Sequence, residues 1–531
     1  MRGRPWLTTL LFLLALLHQF AWTWRYNLVE GDEQTQMAAA QSLWHGHGIT
    51  LAEADPTDLS KPAYVPMVAW PPGFTLLAAP VLALCDDELS ASLVLKWLAA
   101  VGFFVAWRLI LRTVVTDANS GSELFWGWWG LVYTPLLRPY TSGQLALALF
   151  SLGLLAFLRS VTAPPLRRTA LAVTAGLAEG LAGAVHYSYW PLAFVPPAAV
   201  VLLVGQTRRR LLGVATVAAA SSALVLAIVL AYLLPRMTAS WAVRALRPAT
   251  FQGLQWSNLA GFLPFPAYAL GIERIMPRAL ARVGIEVSWE WLVLWLISLP
   301  LLVLLGRATR DTYKDSRCDD EHLASSLLWL MGVVGLAVTV AELSILSLRV
   351  PIYYSEFFPM GWTFVVEPRY YAVVYPFIFL AATQAVAGPK ELRLNGVARL
   401  VAGLLFGLVI LGTGYWRFGI WRLQHTWRRP PSDLAQIVRA ERNHNLPIVY
   451  VGQLEGRCNQ ARLAGAAALC TDHLPADLET TRPVRVILAL PRSGTQQGAL
   501  LKKSQAGTEF REFQVGASTL VIATLRSADA R

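Results

Sequence analysis

Charge is scarce in this chain: 15% of its 531 residues are Asp, Glu, Lys or Arg, while 55% are hydrophobic. Soluble domains carry about a quarter charged residues, so a water-facing globule is excluded. A Gly-rich phosphate loop is lacking, which argues against a cytosolic nucleotide-sugar site. There is no internal repeat and no long low-complexity tract. Transporters built from paired repeats and broken helices therefore find no clear signature here. Cysteine is sparse as well. Cys85, Cys318, Cys458 and Cys470 show no zinc-ligand spacing. Only Cys458 and Cys470 fall in one extramembrane segment, where a disulfide would persist. The intervening NQARLAGAAAL reads as helix, which would hold its ends roughly 18 Å apart, beyond bridging distance. A bond between them requires that stretch not to be one helix.

What the chain has instead is apolar blocks of about twenty residues, the length of a bilayer-spanning helix. The fold class is an α-helical polytopic membrane protein with a small C-terminal α/β domain. Residues 6–24 follow Arg2 and Arg4, and no small-residue cleavage site comes after them. They read as an uncleaved first helix with a cytoplasmic N-terminus. The formal charge of +12 does not point to nucleic acid, because the basic residues cluster in short loops between apolar blocks, as the positive-inside rule requires. The 21 tryptophans fit an interfacial aromatic belt.

The same rule sets the topology. If the proline-led run Pro71–Cys85 does not span, the clusters at Arg108 and Arg112, Arg159 to Arg168, Arg208 to Arg210, Arg307 to Arg317, and Lys390 with Arg393 all fall inside. If it spans, all fall outside. The run is therefore interfacial or re-entrant. About eleven spans result: 6–24, 90–110, 123–138, 143–158, 169–187, 190–206, 211–234, 288–306, 323–348, 369–387 and 396–415. Residues 1–431 form the membrane domain, with outside loops at 25–89 and 236–287. The tail, 432–531, changes character. DLAQIVRAERN reads as helix, PIVYVG and VRVILAL as buried strands, and TEFREFQV with STLVIATL as a hairpin.

The loop at 25–89 holds the densest chemistry. Asp32 and Glu33 lie about one turn past the first apolar helix, at the membrane boundary. Carboxylates there invite a functional explanation, although acidic residues also suit the start of any helix. After them come Ala40 to Leu43, Gly46, Gly48, and then Pro71-Pro72-Gly73 before the next apolar run. Late in the chain stand Glu367-Pro368-Arg369-Tyr370-Tyr371 and Tyr375-Pro376. In order and in topology these motifs resemble the GT-C superfamily of membrane glycosyltransferases. The likeness is to members that use lipid-linked sugars, the protein O-mannosyltransferases and aminoarabinose transferases.

That resemblance implies an activity: a hexosyl or pentosyl group moves from a polyprenyl-phosphate donor to a lipid, glycan or protein acceptor. The reaction would run at the non-cytoplasmic face, in a bacterial inner membrane. It implies Asp32 as the base that takes the acceptor's proton, with Glu33 as helper or alternative. It implies Arg369 and Tyr370 as holders of the donor phosphate, since arginine is a planar, permanent phosphate partner. Lys61, beside Pro62, is a further candidate for that phosphate. Gln34-Thr35-Gln36 follow the acidic pair where many members have Arg or Tyr nearby, so the substrate class stays open.

Each of these residues also has a plainer reading. Arg369, near Glu367, can snorkel at a helix end, and Lys61 can be a solvated loop lysine. Glu53, Asp55 and Asp58 offer oxygen ligands that, with Asp32, would suit Mg²⁺ or Mn²⁺, or they are a solvated loop. No cofactor is assigned. In Trp44-His45-Gly46-His47-Gly48 the glycines read as ending a helix, with the imidazoles toward a cleft or water. Glu179 and Glu342 sit within spans, where an acid must find a partner or face a path. His186, Tyr187 and Glu367 are candidates for the outer substrate cavity. The basic amphipathic stretch IERIMPRALARV reads as a surface anchor or a lid over lipid phosphate. Two rival functions stay open: a transporter or flippase using Glu179, Glu342 and His186, and a non-catalytic assembly subunit that binds through its tail.

Overall fold

A computed structural model describes residues 5–25, 27, 29, 32–114 (without 56 and 86), 122–126, 141–237 (without 204 and 205), 249–251, 299–310, 323–348, 372–387, 394–404 (without 402), 433–442, 446–452, 455–470, 480–491, 510–515 and 518–525. The first half contains α1 (Pro5–Arg25), α2 (Asp32–Trp44), β1 (Thr50–Ala54), β2 (Pro62–Pro66), α3 (Pro72–Leu84), α4 (Glu88–Val114), α5 (Thr141–Thr162), α6 (Pro165–Val185), α7 (Val195–Leu202) and α8 (Gln206–Leu233). There follow β3 (Ala249–Phe251), α9 (Leu323–Ile345), β4 (Leu346–Leu348) and α10 (Tyr375–Ala387). The tail carries α11 (Asp433–Glu441), β5 (Ile448–Gly452), α12 (Glu455–Leu463), β6 (Ala467–Cys470), β7 (Val484–Pro491), β8 (Phe510–Val515) and β9 (Ser518–Leu525). The chain divides into two compact units.

The helical unit takes Met1–Tyr26, Leu93–Pro235 and Arg244–His425. Among the described residues of the chain, five helices are long and apolar enough to cross a membrane: Trp6–Trp24, Glu88–Val114, Thr141–Thr162, Leu211–Arg236 and Leu323–Glu342. Two expected spans are shorter than read. At 190–206 the helix proper is Val195–Leu202, after two 3₁₀ turns at Tyr187–Tyr189 and Leu192–Phe194. Pro191, Pro196 and Pro197 explain this, since proline removes the amide donors a longer helix would need. At 369–387 the described helix is Tyr375–Ala387.

Packing in this unit depends on small residues. A Cβ on Gly176 of α6 would fall 2.1 Å from the Ala218 carbonyl oxygen of α8, and one on Gly180 would fall 2.8 Å from Val225 Cβ. The Gly176-x-x-x-Gly180 spacing puts both on one helix face, where backbones approach closely. Elsewhere aromatic rings fill the space: Trp107 lies edge-on to Phe377 at 5.4 Å, and Phe12 edge-on to Trp126 at 5.0 Å. Edge-to-face pairs suit the ring quadrupole.

The second unit takes Asn27–Ser92, Arg236–Val243 and Thr426–Arg531. It is organised on one seven-stranded sheet of order β2-β1-β6-β5-β7-β9-β8. The tail strands and the strands of the first loop share that sheet, joined where β1 runs parallel to β6 at Glu53 and Ala468. β5 lies between parallel neighbours β6 and β7, and its IVYVG is buried throughout, as a strand covered on both faces should be. Alternate residues serve two cores. Ile448, Tyr450, Ile487 and Ile522 pack with Leu434 and Val438 of α11. Val449, Val451, Val486 and Val521 pack with Ala54 and Leu59. β2 begins and ends in proline and stands at the sheet edge, where a missing donor is tolerated. In this unit α3, the run expected not to span, is 13 residues long. At 1.5 Å per residue that is about 20 Å, short of the roughly 30 Å hydrocarbon core.

The expected helix between Cys458 and Cys470 ends early. α12 stops at Leu463, Gly465 takes a left-handed φ of 91°, and β6 returns the chain. The two Cα atoms are thereby 6.2 Å apart and the cysteines form a disulfide. The reading of one continuous helix missed Gly465 as a C-terminal stop.

Candidate functional site

Asp32 and Glu33 open α2 in the sheet-bearing unit, where their charge suits the helix dipole. Asp32 is half-exposed. Glu33 is only 1% exposed, and its Oε1 accepts a 2.6 Å hydrogen bond from the Ser92 hydroxyl. Ser92 is also 3.3 Å from Asn27 Oδ1, and Gln34 donates to the Val29 carbonyl at 2.8 Å. The acidic pair therefore divides: Asp32 is partly exposed, and Glu33 is built into the entry of the helix.

α2 is polar from Asp32 to Gln36 yet mostly buried, so those side chains must find partners. Thr35 accepts from Asn459 Nδ2 of α12 at 2.7 Å. Asn459 Oδ1 in turn accepts from Arg462 Nη1 at 2.7 Å. Arg462 is buried; it donates from Nε to the Ala52 carbonyl at 3.2 Å and pairs with Glu53 at 3.4 Å.

The other acids of this loop form turns. Asp55 accepts from the Thr57 hydroxyl at 2.6 Å and its amide at 2.8 Å, and these bonds hold its carboxyl below the usual range. Asp58 accepts from Ser60 Oγ at 2.6 Å and from Thr481 N and Oγ1 at 3.0 and 2.7 Å. The Ser60 hydroxyl, then Thr481, hold it far below the ordinary carboxylate value. Lys61 pairs with Asp58 at 3.0 Å while its side chain stays 68% exposed, so this is a surface pair of little energetic weight. Glu53, Asp55 and Asp58 are thus committed to protein partners. Among the described residues no group of three His, Cys, Asp or Glu is placed to hold a metal ion.

His45 and His47 follow α2. Gly46 and Gly48 have φ of 84° and 76°, and those left-handed residues end the helix and turn the chain. Both imidazoles are exposed and line a cleft of about 260 Å³ that also takes in Tyr64, Arg442 and Arg462. His47 stacks on Tyr64 at 3.8 Å. Sequence reasoning found the histidines, because the glycines flag them. It missed Tyr64, Arg442 and Arg462, which are distant in the chain and carry no shared motif.

In the helical unit, His186 ends α6 and caps the next turn, its Nδ1 2.7 Å from Ser188 Oγ and 3.4 Å from Ser188 N. It is 5% exposed. Tyr187 lies edge-on to Trp190 at 5.5 Å, and Trp190 donates to the Gly183 carbonyl at 2.9 Å. Glu179 is fully buried, against Gly153 of α5. Arg369, Tyr370 and Glu367 lie outside the described residues, as does the stretch IERIMPRALARV.

No protein-family model matches this chain, and no curated protein does. Among solved structures, ArnT from Cupriavidus metallidurans in the apo state matches with a TM-score of 0.55 at 13% identity over 97% of both chains. The same protein bound to undecaprenyl phosphate matches at 0.50 and 12% identity, again over 97% of both. The archaeal oligosaccharyltransferase AglB from Archaeoglobus fulgidus, in complex with an inhibitory peptide and a dolichol-phosphate, matches at 0.48 and 12% identity over 99% of this chain and 75% of that one. The ArnT matches establish the fold. The chain is similar in fold to ArnT along nearly its whole length.

Proposed function

We propose that this chain is a GT-C-type glycosyltransferase that moves a sugar from a polyprenyl-phosphate donor to an acceptor at the non-cytoplasmic face of a membrane. The observation that carries the reading is the near full-length fold likeness to ArnT, which has been crystallised with undecaprenyl phosphate. The acidic pair at the start of α2 supports it, since Asp32 is only partly buried there. In this reading the protein is integral to a bacterial inner membrane, with about eleven spans and a cytoplasmic N-terminus. The α/β domain of the tail, 432–531, lies outside.

The chemistry follows from the residues. The acceptor's hydroxyl must lose a proton as its oxygen attacks the anomeric carbon. Asp32 takes that proton. Glu33, held by Ser92, acts by keeping the first turn of α2 in place and supplying negative potential there. The anomeric carbon–oxygen bond breaks in line, and polyprenyl phosphate leaves with the bonding electrons. Arg369 and Tyr370 hold that phosphate, and Lys61 adds a mobile positive charge. No step is routed through a metal. The transferred group is a hexose or pentose, and the acceptor a lipid, glycan or protein.

The test is sugar transfer in proteoliposomes from a panel of polyprenyl-phosphate sugars, wild type beside Asp32→Asn. Transfer should fall roughly 10²–10⁴-fold in the variant, the scale of a lost general base, with an unchanged melting temperature. Equal transfer in both would remove Asp32 from the chemistry. No transfer by the wild type from any donor would count against the enzyme reading itself.

A further inference from the structure

The cleft beside His47 combines features that the transfer reaction does not use. The first is charge. Arg442 is exposed and, among the described residues, has no hydrogen-bond or ion-pair partner. Its guanidinium lies over Gly465, where a Cβ would fall 1.8 Å from Nη2. Gly465 has a φ of 91°, so the backbone favours glycine at this position and leaves room for the guanidinium. Arg462, the other arginine of the lining, is already paired with Glu53. The cleft therefore offers one uncommitted planar cation, which matches a carboxylate or phosphate.

The second feature is a flat wall. The His47 and Tyr64 rings are 3.8 Å apart and within 13° of parallel, and Tyr64 is 40% exposed. An aromatic face is electron-rich and attracts the electropositive C–H face of a sugar ring. The third is hydrogen bonding. Gln41 and Ser42 line the same cleft and supply neutral donors and acceptors of the kind that hydroxyls need. The fourth is size. About 260 Å³ is below the usual range for a drug-sized ligand and suits one ring rather than several.

We propose that this cleft binds a single anionic sugar residue, its carboxylate or phosphate on Arg442 and its ring against the Tyr64–His47 stack. The proposal does not depend on the transfer reaction, and binding alone tests it. The full chain in detergent micelles is titrated with D-glucuronate, D-glucose 6-phosphate and D-glucose and followed by saturation-transfer difference NMR, and inorganic phosphate, which has no carbon-bound protons, is read by its competition against the glucuronate signal. Both sugar anions should saturate, with glucose and phosphate about tenfold weaker or more. Arg442→Gln should weaken the sugar anions about tenfold while leaving the glucose signal as it was. Arg442→Lys should recover part of the loss, because charge returns without the planar fork. Tyr64→Ala should abolish saturation of the ring protons for anionic and neutral sugars alike. A glucuronate-terminated oligosaccharide separates a free sugar acid from the end of a glycan: tighter binding than the monosaccharide assigns the site to a glycan end, equal binding to the free acid.

Asp32→Asn should bind as the wild type does, so a dead enzyme with an intact cleft is recognisable. Absence of saturable binding by both sugar anions would overturn the proposal. So would Arg442→Gln binding equal to wild type, or phosphate binding as tightly as glucuronate, which would leave the ring no role. A melting temperature equal to wild type in each variant establishes that the fold is not the cause.

Discussion

The two units satisfy their buried polar groups over different chain separations. In the helical unit many hydroxyls turn back onto their own helix: Thr23 donates to the Gln19 carbonyl at 2.8 Å, Ser151 to Leu147 at 2.7 Å and Thr113 to Leu109 at 2.8 Å, while Ser222 donates to the Gly176 carbonyl of a neighbouring helix at 2.9 Å. In the sheet-bearing unit, polar bonds join segments more than 400 residues apart, as Asn459 to Thr35, Arg462 to Ala52 and Thr481 to Asp58 do. The reason is solvent. A helix in hydrocarbon must satisfy its backbone polar groups within itself, because no water will do so, and its hydroxyls take the carbonyls nearest to them. A unit with polar loops can use them as cross-links, and here they hold the first loop to the tail. The helices are held instead by the close approach of glycine faces.

That contrast can be broken at its strongest link first. Glu441 and Arg485 form a buried pair at 2.7 Å with both side chains under 10% exposed. Glu441→Ala should destabilise the sheet-bearing unit by about 3–5 kcal/mol, because it strands a buried charge; a thermal melt in detergent reads the loss. Gly176→Ala should cost the helical unit about 1–3 kcal/mol, since its Cβ meets the Ala218 carbonyl and α6 must move from α8. The same melt, followed by a probe in the helices, checks it.

The polar cross-links can then be compared directly. Asn459→Ala removes the partner of both Thr35 and Arg462 and should cost about 2 kcal/mol. Thr23→Val removes two bonds within one helix, to the Gln19 carbonyl and from the Gln19 amide, and should cost about 1 kcal/mol. Equal losses would erase the distinction between the units.

The smallest effect is on pH. The folded Asp58 carboxyl titrates below its ordinary value, which is about 3.9 in an unfolded chain. Its stabilisation is therefore complete above about pH 5 and is lost as pH falls through the carboxylate range toward the folded pKa. Asp58→Asn should flatten the acid limb of the stability profile of this unit and leave the helical unit's profile unchanged.

Much of this was legible along the chain. The apolar blocks at α1, α4, α5, α8 and α9 declare themselves by length, and Pro71-Pro72 marks the start of α3. IVYVG and VRVILALP read as buried strands because a strand covered on both faces needs no polar alternation. Gly46 and Gly48 announced the end of α2. Other features were hidden. β1 and β2 were not read as strands, since five-residue segments in a polar loop gain strand form only from their neighbours in the sheet. The Cys458–Cys470 bond was hidden behind a run of helix-favouring residues that Gly465 interrupts. Arg442 and Tyr64 carry no common motif, because nothing local relates residues so far apart.

The sequence by itself determined that the chain has helices long and apolar enough to cross a membrane, that Asp32 and Glu33 open a helix, and that the tail carries strands. Those are consequences of composition, period and capping, which act over a few turns. Only the tertiary structure decided that the first loop and the tail share one sheet, that Glu33 is enclosed while Asp32 is partly exposed, and that Arg442 lies on Gly465 in the cleft that Tyr64 also lines. Those depend on which distant segments bury each other's surfaces and satisfy each other's hydrogen bonds, and no local pattern encodes that choice.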